Sequence, residues 1–202
     1  MPNHVTNRLT MDGPYGPLRN IRDNCFTQDP ELHTTPQFDF NKIIPTPAYI
    51  NQDNLQWGSE HQKSGRNWYD WNVTHWHTKW NAYDTFITQD LPPTPTDDNP
   101  HRLIAEFDTA WSPPIPVVAT LAQDFPEVAI QHDYIDECWN FFGTDTYQNG
   151  EITTSVNIGD PGNDPTLIAL RNKLAMELQG YTEESIDEIE QTITGQDPLS
   201  EN

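Results

Sequence analysis

Lys79 is the side chain best placed to do chemistry in this sequence. Trp76 and Trp80 stand beside it, Tyr83 and Asp84 follow, and Trp111 lies in a second block, Phe107-Asp108-Thr109-Ala110-Trp111-Ser112-Pro113-Pro114. A cation over an indole face contributes about 0.5–1 kcal/mol when exposed and more when desolvated. Four of the seven tryptophans, Trp68, Trp71, Trp76 and Trp80, share one short stretch, so the segment must pack, bind a partner, or both. In the packing reading the lysine stem covers aromatic faces. In the binding reading Trp76, Lys79, Trp80, Tyr83, Asp84 and Trp111 form a recognition surface whose aromatics are the anchors. A third reading puts a small ligand or substrate in a cleft made by Lys79, Asp84, Trp80 and Trp111.

Other constellations are weaker. His75 and His77 point to different sides of a helix or to one side of a strand. A metal would need a further ligand, from His61 or Asp84; otherwise the two rings are solvated or stacked. Cys138 and His132 sit close in a predicted hairpin, yet no third group orients them as a nucleophile and base require, and Cys138 reads as a free thiol. Asp133, Asp136 and Glu137 resemble an acid–base or Mg²⁺ cluster, but among 31 acidic residues such triplets arise by chance. No phosphate loop, nucleophile–base pair or closed metal-ligand set is present. The reading is therefore no catalytic residue, no metal and no cofactor.

Charge narrows the partners. The chain carries 31 acidic against 10 basic residues, a net charge of -21, which repels the phosphate backbone that supplies most nucleic-acid affinity. Direct nucleic-acid binding is not expected. The excess fits a soluble protein of a crowded cytosol, a halophilic surface, or a decoy that offers nucleic-acid-like charge to a basic groove. Cys25 and Cys138 lack CxxC spacing, so neither a disulfide scaffold nor an iron–sulfur cluster is supported. The N-terminus has no signal-peptide pattern and no apolar run reaches membrane-spanning length. A cytoplasmic protein is expected.

The elements that must position these residues follow from periodicity. Mean hydropathy of -0.77 and 18 prolines predict a modest core with long loops. Residues 4–11 alternate as a strand, with Val5, Leu9 and Met11 on one face. Leu18, Ile21 and Cys25 then mark a helical stripe, and residues 38–45 read as a second strand. Residues 46–101 read as an insertion, with a helix over about 64–87 carrying Trp76, Trp80 and Tyr83, and a stiff exposed loop at 91–100. Residues 102–111 form the clearest strand. Ser112-Pro113-Pro114 ends it and starts a helix through Ile115, Val118, Leu121 and Ala122, with Pro126 beyond its end. Strands follow at 128–136, 139–147 and 151–158, the last two joined at Asn149-Gly150, a strong hairpin turn. Leu167, Leu170, Leu174 and Leu178 trace one helix face closed by Gly180, and Thr182 opens a second, acidic helix. The last several residues are expected to be disordered. This order is an α+β, ferredoxin-like split βαβ antiparallel sheet with a Trp-rich insertion, a C-terminal hairpin extension and acidic C-terminal helices. Its units are residues 1–158 and an acidic helical extension, 159–202.

Three blocks carry a family resemblance: Met1-Pro2-Asn3-His4-Val5-Thr6-Asn7, Thr78-Lys79-Trp80-Asn81-Ala82-Tyr83-Asp84, and the Phe107 to Pro114 block. Residues 38–45 and Tyr134-Ile135-Asp136-Glu137 fit the same pattern. Together they resemble the YubB-like family of phage- and plasmid-encoded proteins with a ferredoxin-like domain. The resemblance covers residues 1–158 and implies a fold and a mobile-element origin, with no reaction and no catalytic residues. The family's Asn-Trp-Gly before Thr-Lys-Trp is His75-Trp76-His77 here, so no role of that glycine carries over. The expected function is a non-enzymatic phage or plasmid accessory protein. It would inhibit a host nucleic-acid-handling or defence protein by engaging a basic groove; the alternative is a small-ligand binder or enzyme using the Trp/Lys/Asp cleft.

Overall fold

The computed structural model describes residues 3–27, 36–50, 66–95 and 100–194. β1 (His4–Gly13) buries every second residue, so Val5, Asn7, Leu9 and Met11 face one way. α1 (Tyr15–Asn24) lays Leu18 and Ile21 on that same face, and both are fully buried. β2 (Phe26–Thr27) and β3 (Gln37–Phe38) pair only with each other among the described residues. A 3-10 turn at Phe40–Lys42 comes next, then α2 (Trp68–His75), β4 (Tyr83–Gln89), β5 (His101–Ala110) and α3 (Ile115–Asp124). The chain continues through β6 (Ala129–Asp136), β7 (Phe142–Gln148), β8 (Glu151–Ile158), α4 (Pro165–Gln179) and α5 (Glu183–Thr194).

The main sheet has the order β4-β5-β1-β6-β7-β8, with every pairing antiparallel. β1, α1, β4, β5, α3 and β6 form the ferredoxin-like βαββαβ unit, in which β5 lies between the parallel β1 and β4. β7 and β8 extend the sheet beyond β6. Asn149 and Gly150 take φ of 53° and 78°, the left-handed pair that a tight hairpin turn demands.

Two expectations need correction. The second strand of the split unit is β4, inside the segment read as insertion, and not residues 38–45. There Asp39 accepts a hydrogen bond from Asn41 N at 3.0 Å and starts the 3-10 turn, which takes the chain out of the ladder after two paired residues. The helix expected over 64–87 ends at His75. His77 takes φ of 63°, so Trp76, Trp80 and Tyr83 do not share a helix despite their spacing.

Both faces of the sheet are used. The larger core lies under α1, α2 and α3 and contains Leu9, Met11, Phe38, Phe40, Leu103, Phe107, Val118 and Leu121. On the opposite face α4 docks over β6, β1 and β7, and Leu174 and Ala175 join Ile135, Phe142 and Ile186 from α5. Arg8 ties this docking down by reaching Asp133 at 3.0 Å and Glu177 of α4 at 2.5 Å. The leucine stripe Leu167, Leu170, Leu174 and Leu178 lies in this second core, and Gly180 closes α4 at φ of 74°. The disorder expected of the last residues lies outside the described residues.

The two sheet edges differ. β4 pairs irregularly, with register shifts between Tyr83 and Phe86 and between Ile87 and Gln89. β8 has one register shift, opposite Thr146 and Tyr147, is largely exposed and uncharged from Ile152 to Ile158, and pairs only with β7 among the described residues.

Candidate functional site

The candidate site is built where β5 ends. Thr78 Oγ1 donates to the Ala110 carbonyl at 2.8 Å and accepts from Ala110 N at 3.2 Å, which straps the 78–80 loop across the strand terminus. Lys79 N also donates to Ala110 O at 3.4 Å. From the other side Asn72 Nδ2 donates to the Lys79 carbonyl at 2.9 Å, and Ser112 Oγ donates to the His77 carbonyl. Trp111 N donates to Asn3 O at 2.9 Å. Asn3 and His4, the 78–84 block and the 107–114 block are therefore one structural unit, although they are far apart in the chain.

Within it Lys79 Nζ sits 4.7 Å from the ring centroid of Trp80 and 4.7 Å from that of Trp111. The indoles are 38% and 42% exposed, so this is a surface clamp. Tyr69 supports Trp111 edge-on at 6.0 Å and Tyr83 supports Trp80 at 6.2 Å. Among the described residues Lys79 has no ion-pair partner, in a chain with three acidic residues for each basic one. Backbone strain collects here. His77, Asp84 and Trp111 take φ of 63°, 47° and 77°, and side chains with a Cβ adopt such angles at a cost of roughly 1 kcal/mol or more each.

Carboxylates line the adjoining sheet face. Tyr83 lies opposite Asp108 in the β4–β5 pairing, and Phe86, 54% exposed, lies opposite Glu106. Burial raises both carboxyls above their ordinary range, against the pull of the Thr6 hydroxyl and His4 on Asp108 and of Arg8 on Glu106. The Tyr83 hydroxyl accepts from His4 Nδ1 at 2.9 Å and donates to the Thr109 carbonyl at 3.1 Å. Burial, then Asp108, Asp84 and Glu137, pushes its pKa far up, so it stays a neutral bridge.

Five of the six residues singled out in the sequence, Lys79, Trp80, Tyr83, Asp84 and Trp111, lie in this region. Trp76 does not belong with them. It is 3% exposed, donates from Nε1 to Ile44 O at 3.0 Å, and packs edge-on against Phe40 and Trp71 in the core. His75 stacks on Trp71 at 4.5 Å, while His77 is exposed in the turn. The described residues contain no group of three or more His, Cys, Asp or Glu arranged to hold a metal.

The other candidates serve the fold. Asp133 accepts from Arg8, Gln131 and Thr144. Asp136 organises the turn after β6 by accepting from Cys138 N at 3.0 Å and Asn140 N at 3.2 Å. Cys138 is exposed and His132 is fully buried, its Nε2 donating to Asn7 Oδ1 at 3.0 Å. The tautomer follows from Asn7, whose Nδ2 faces the acceptors Val5 O and Thr109 Oγ1, so its Oδ1 must accept. Sequence reading missed this pair, although Asn7 falls on the apolar face of β1. It also missed Asn3, His4, Tyr69 and Asp108 as parts of the site, because only the fold brings them together.

The unit just described falls largely within a recognisable domain. Residues 75–164 match the family model described as the ferredoxin-like domain in Api92-like protein. The Api92-like match runs from His75 through the clamp and β4–β8, and leaves β1, α1, α4 and α5 outside it. A crystal structure of a protein api92 from Yersinia pseudotuberculosis is similar at 22% identity and a TM-score of 0.44. The similarity covers 60% of this chain and 40% of that one, so the chain spans well under half of the Yersinia protein. Comparison with curated proteins gave no match. No helix among the described residues is long and apolar enough to cross a membrane.

Proposed function

We propose that this chain is a non-enzymatic accessory protein of a phage or plasmid, of the YubB-like kind, which acts in the bacterial cytoplasm. It binds and inhibits a host protein that handles nucleic acid, entering that protein's basic groove. One observation carries the reading: two half-exposed indoles, Trp80 before β4 and Trp111 after β5, flank the strand pair that carries Asp84, Asp108 and Glu106. Large aromatics beside carboxylates suit a partner rich in Lys and Arg, since the aromatics anchor and the charge steers and orients. The net charge of -21 adds long-range attraction to such a partner and repulsion from nucleic acid itself.

The test is recovery of the tagged chain from a bacterial host at low salt, with co-purifying proteins identified and re-expressed. The reading expects a stoichiometric, basic, nucleic-acid-binding protein. Its affinity should drop steeply once ionic strength passes about 0.1 M, and a Trp80→Ala/Trp111→Ala variant should lose it. A partner bound equally well at high salt, or bound unchanged by the double variant, refutes the proposal.

A further inference from the structure

The clamp holds a cation that belongs to the chain itself. The Lys79 ammonium lies the same 4.7 Å from two indole centroids, a two-walled arrangement that suits an alkylammonium group. Several features separate this from a lysine stem covering apolar surface. Both indoles remain more than a third exposed with the lysine in place, so each keeps surface open to a partner. Its ammonium pairs with no carboxylate among the described residues, in a chain with 31 acidic residues.

Nothing that fixes the walls depends on the lysine side chain. The loop is strapped by Thr78 Oγ1, by Lys79 backbone N and by Asn72 donating to the Lys79 carbonyl. Trp111 is fixed by its backbone bond to Asn3 and by Tyr69, and Trp80 by Tyr83. Swinging the side chain out therefore leaves a formed, empty clamp between two indoles, in a strongly negative field.

We infer that the Trp80–Trp111 pair is a binding site for an ammonium group presented by a basic protein, and that Lys79 fills it as a displaceable internal ligand in the free chain. This deepens the docking reading above and rests on it for the source of the incoming cation. Two exposed cation–π contacts keep the clamp closed by roughly tenfold. An incoming cation binds more weakly by that factor, because only the open fraction is competent.

The probe is tetramethylammonium chloride, with sodium chloride at equal ionic strength as the control. In the unaltered protein, ring currents from both indoles should hold the Lys79 ε-methylene NMR signal upfield. Tetramethylammonium should return it toward the position of an exposed lysine, and sodium should not. In Lys79→Ala, tryptophan fluorescence should report tetramethylammonium binding about tenfold tighter than in the parent, and Trp111→Ala in that background should abolish it. A Lys79 signal unmoved by tetramethylammonium overturns the inference, as does a Lys79→Ala variant that binds no better than the parent. The NMR readout needs no substitution and so stands even where Lys79→Ala folds poorly. Loss of partner capture in the tryptophan variants without tetramethylammonium binding would sink the clamp and leave the docking surface standing. Tetramethylammonium binding with no basic partner recovered would do the reverse.

Discussion

Acid should weaken this protein through His132, by an amount the core geometry sets. The ring is fully buried in β6, its Nε2–H is committed to Asn7 Oδ1, and its Nδ1 has no partner among the described residues. A second proton would be buried as a donor with no acceptor. Burial accordingly takes the imidazole from 6.5 down to about 3, against a small opposite pull from Asp133. The folded value lies below the unfolded one, so the stability is complete above pH 6.5 and is lost as pH falls from there toward about 3. Between pH 7 and pH 5 the unfolded chain takes up most of a proton at this position and the folded chain takes up none. At about 1.4 kcal/mol per pH unit, that removes about 2 kcal/mol. Asp145, opposite His132 on β7, is pushed up by burial against the pull of Ser155, and so contributes with the opposite sign at lower pH. It is present in both proteins of a comparison and largely cancels. The assay is urea unfolding of the parent and of His132→Gln at pH 7 and pH 5. The parent should lose about 2 kcal/mol more than the variant over that interval, whatever the variant's own stability at pH 7. Equal losses in the two proteins would refute the argument.

Three further outcomes follow from the packing. A Cβ on Gly143 would meet the Tyr134 hydroxyl and the Val156 carbonyl, each at 2.3 Å; Gly143→Ala should cost about 3 kcal/mol and lower Tm by roughly 6–12 °C in a calorimetric scan. Arg8→Ala should leave Asp133, 3% exposed, without its cation; it should cost about 3 kcal/mol by urea unfolding and speed hydrogen exchange in α4 ahead of β1. Cys138 is exposed, whereas burial, then Asp124 and Asp39, pushes the Cys25 thiol up to about 11; a thiol reagent at neutral pH should titrate one cysteine in the folded chain and two in denaturant.

What could be read from the sequence was local. Val5, Leu9 and Met11 declare a half-buried strand by their period of two, and Ser112-Pro113-Pro114 marks the start of α3 through steric limits that need no tertiary context. Asn149-Gly150 fixes its turn because both residues tolerate a left-handed backbone. β4 was hidden for the opposite reason. It is an irregular edge strand, mostly polar, and its register shifts erase the alternation that would reveal it. Trp76, Trp80 and Tyr83 keep helical spacing without sharing a helix, since one left-handed residue, His77, resets the phase. The site was half legible. Residue type pointed to Lys79 and its indoles, but only the pairing of β1 with β5 sets Asn3 and His4 beside them.

The β8 edge gives the acidic composition a second meaning. From Ile152 to Ile158 this strand carries no proline, no lysine and no carboxylate, and apart from one bulge its outer edge meets no further strand among the described residues. A sheet that ends this way is an unfinished lattice. Mutual repulsion between bodies carrying a charge of -21 each opposes the addition of one molecule to the next at neutral pH. Near pH 4.3, where that charge vanishes, the restraint is gone while the template remains, so solubility in this protein is a property of its titration state as much as of its surface.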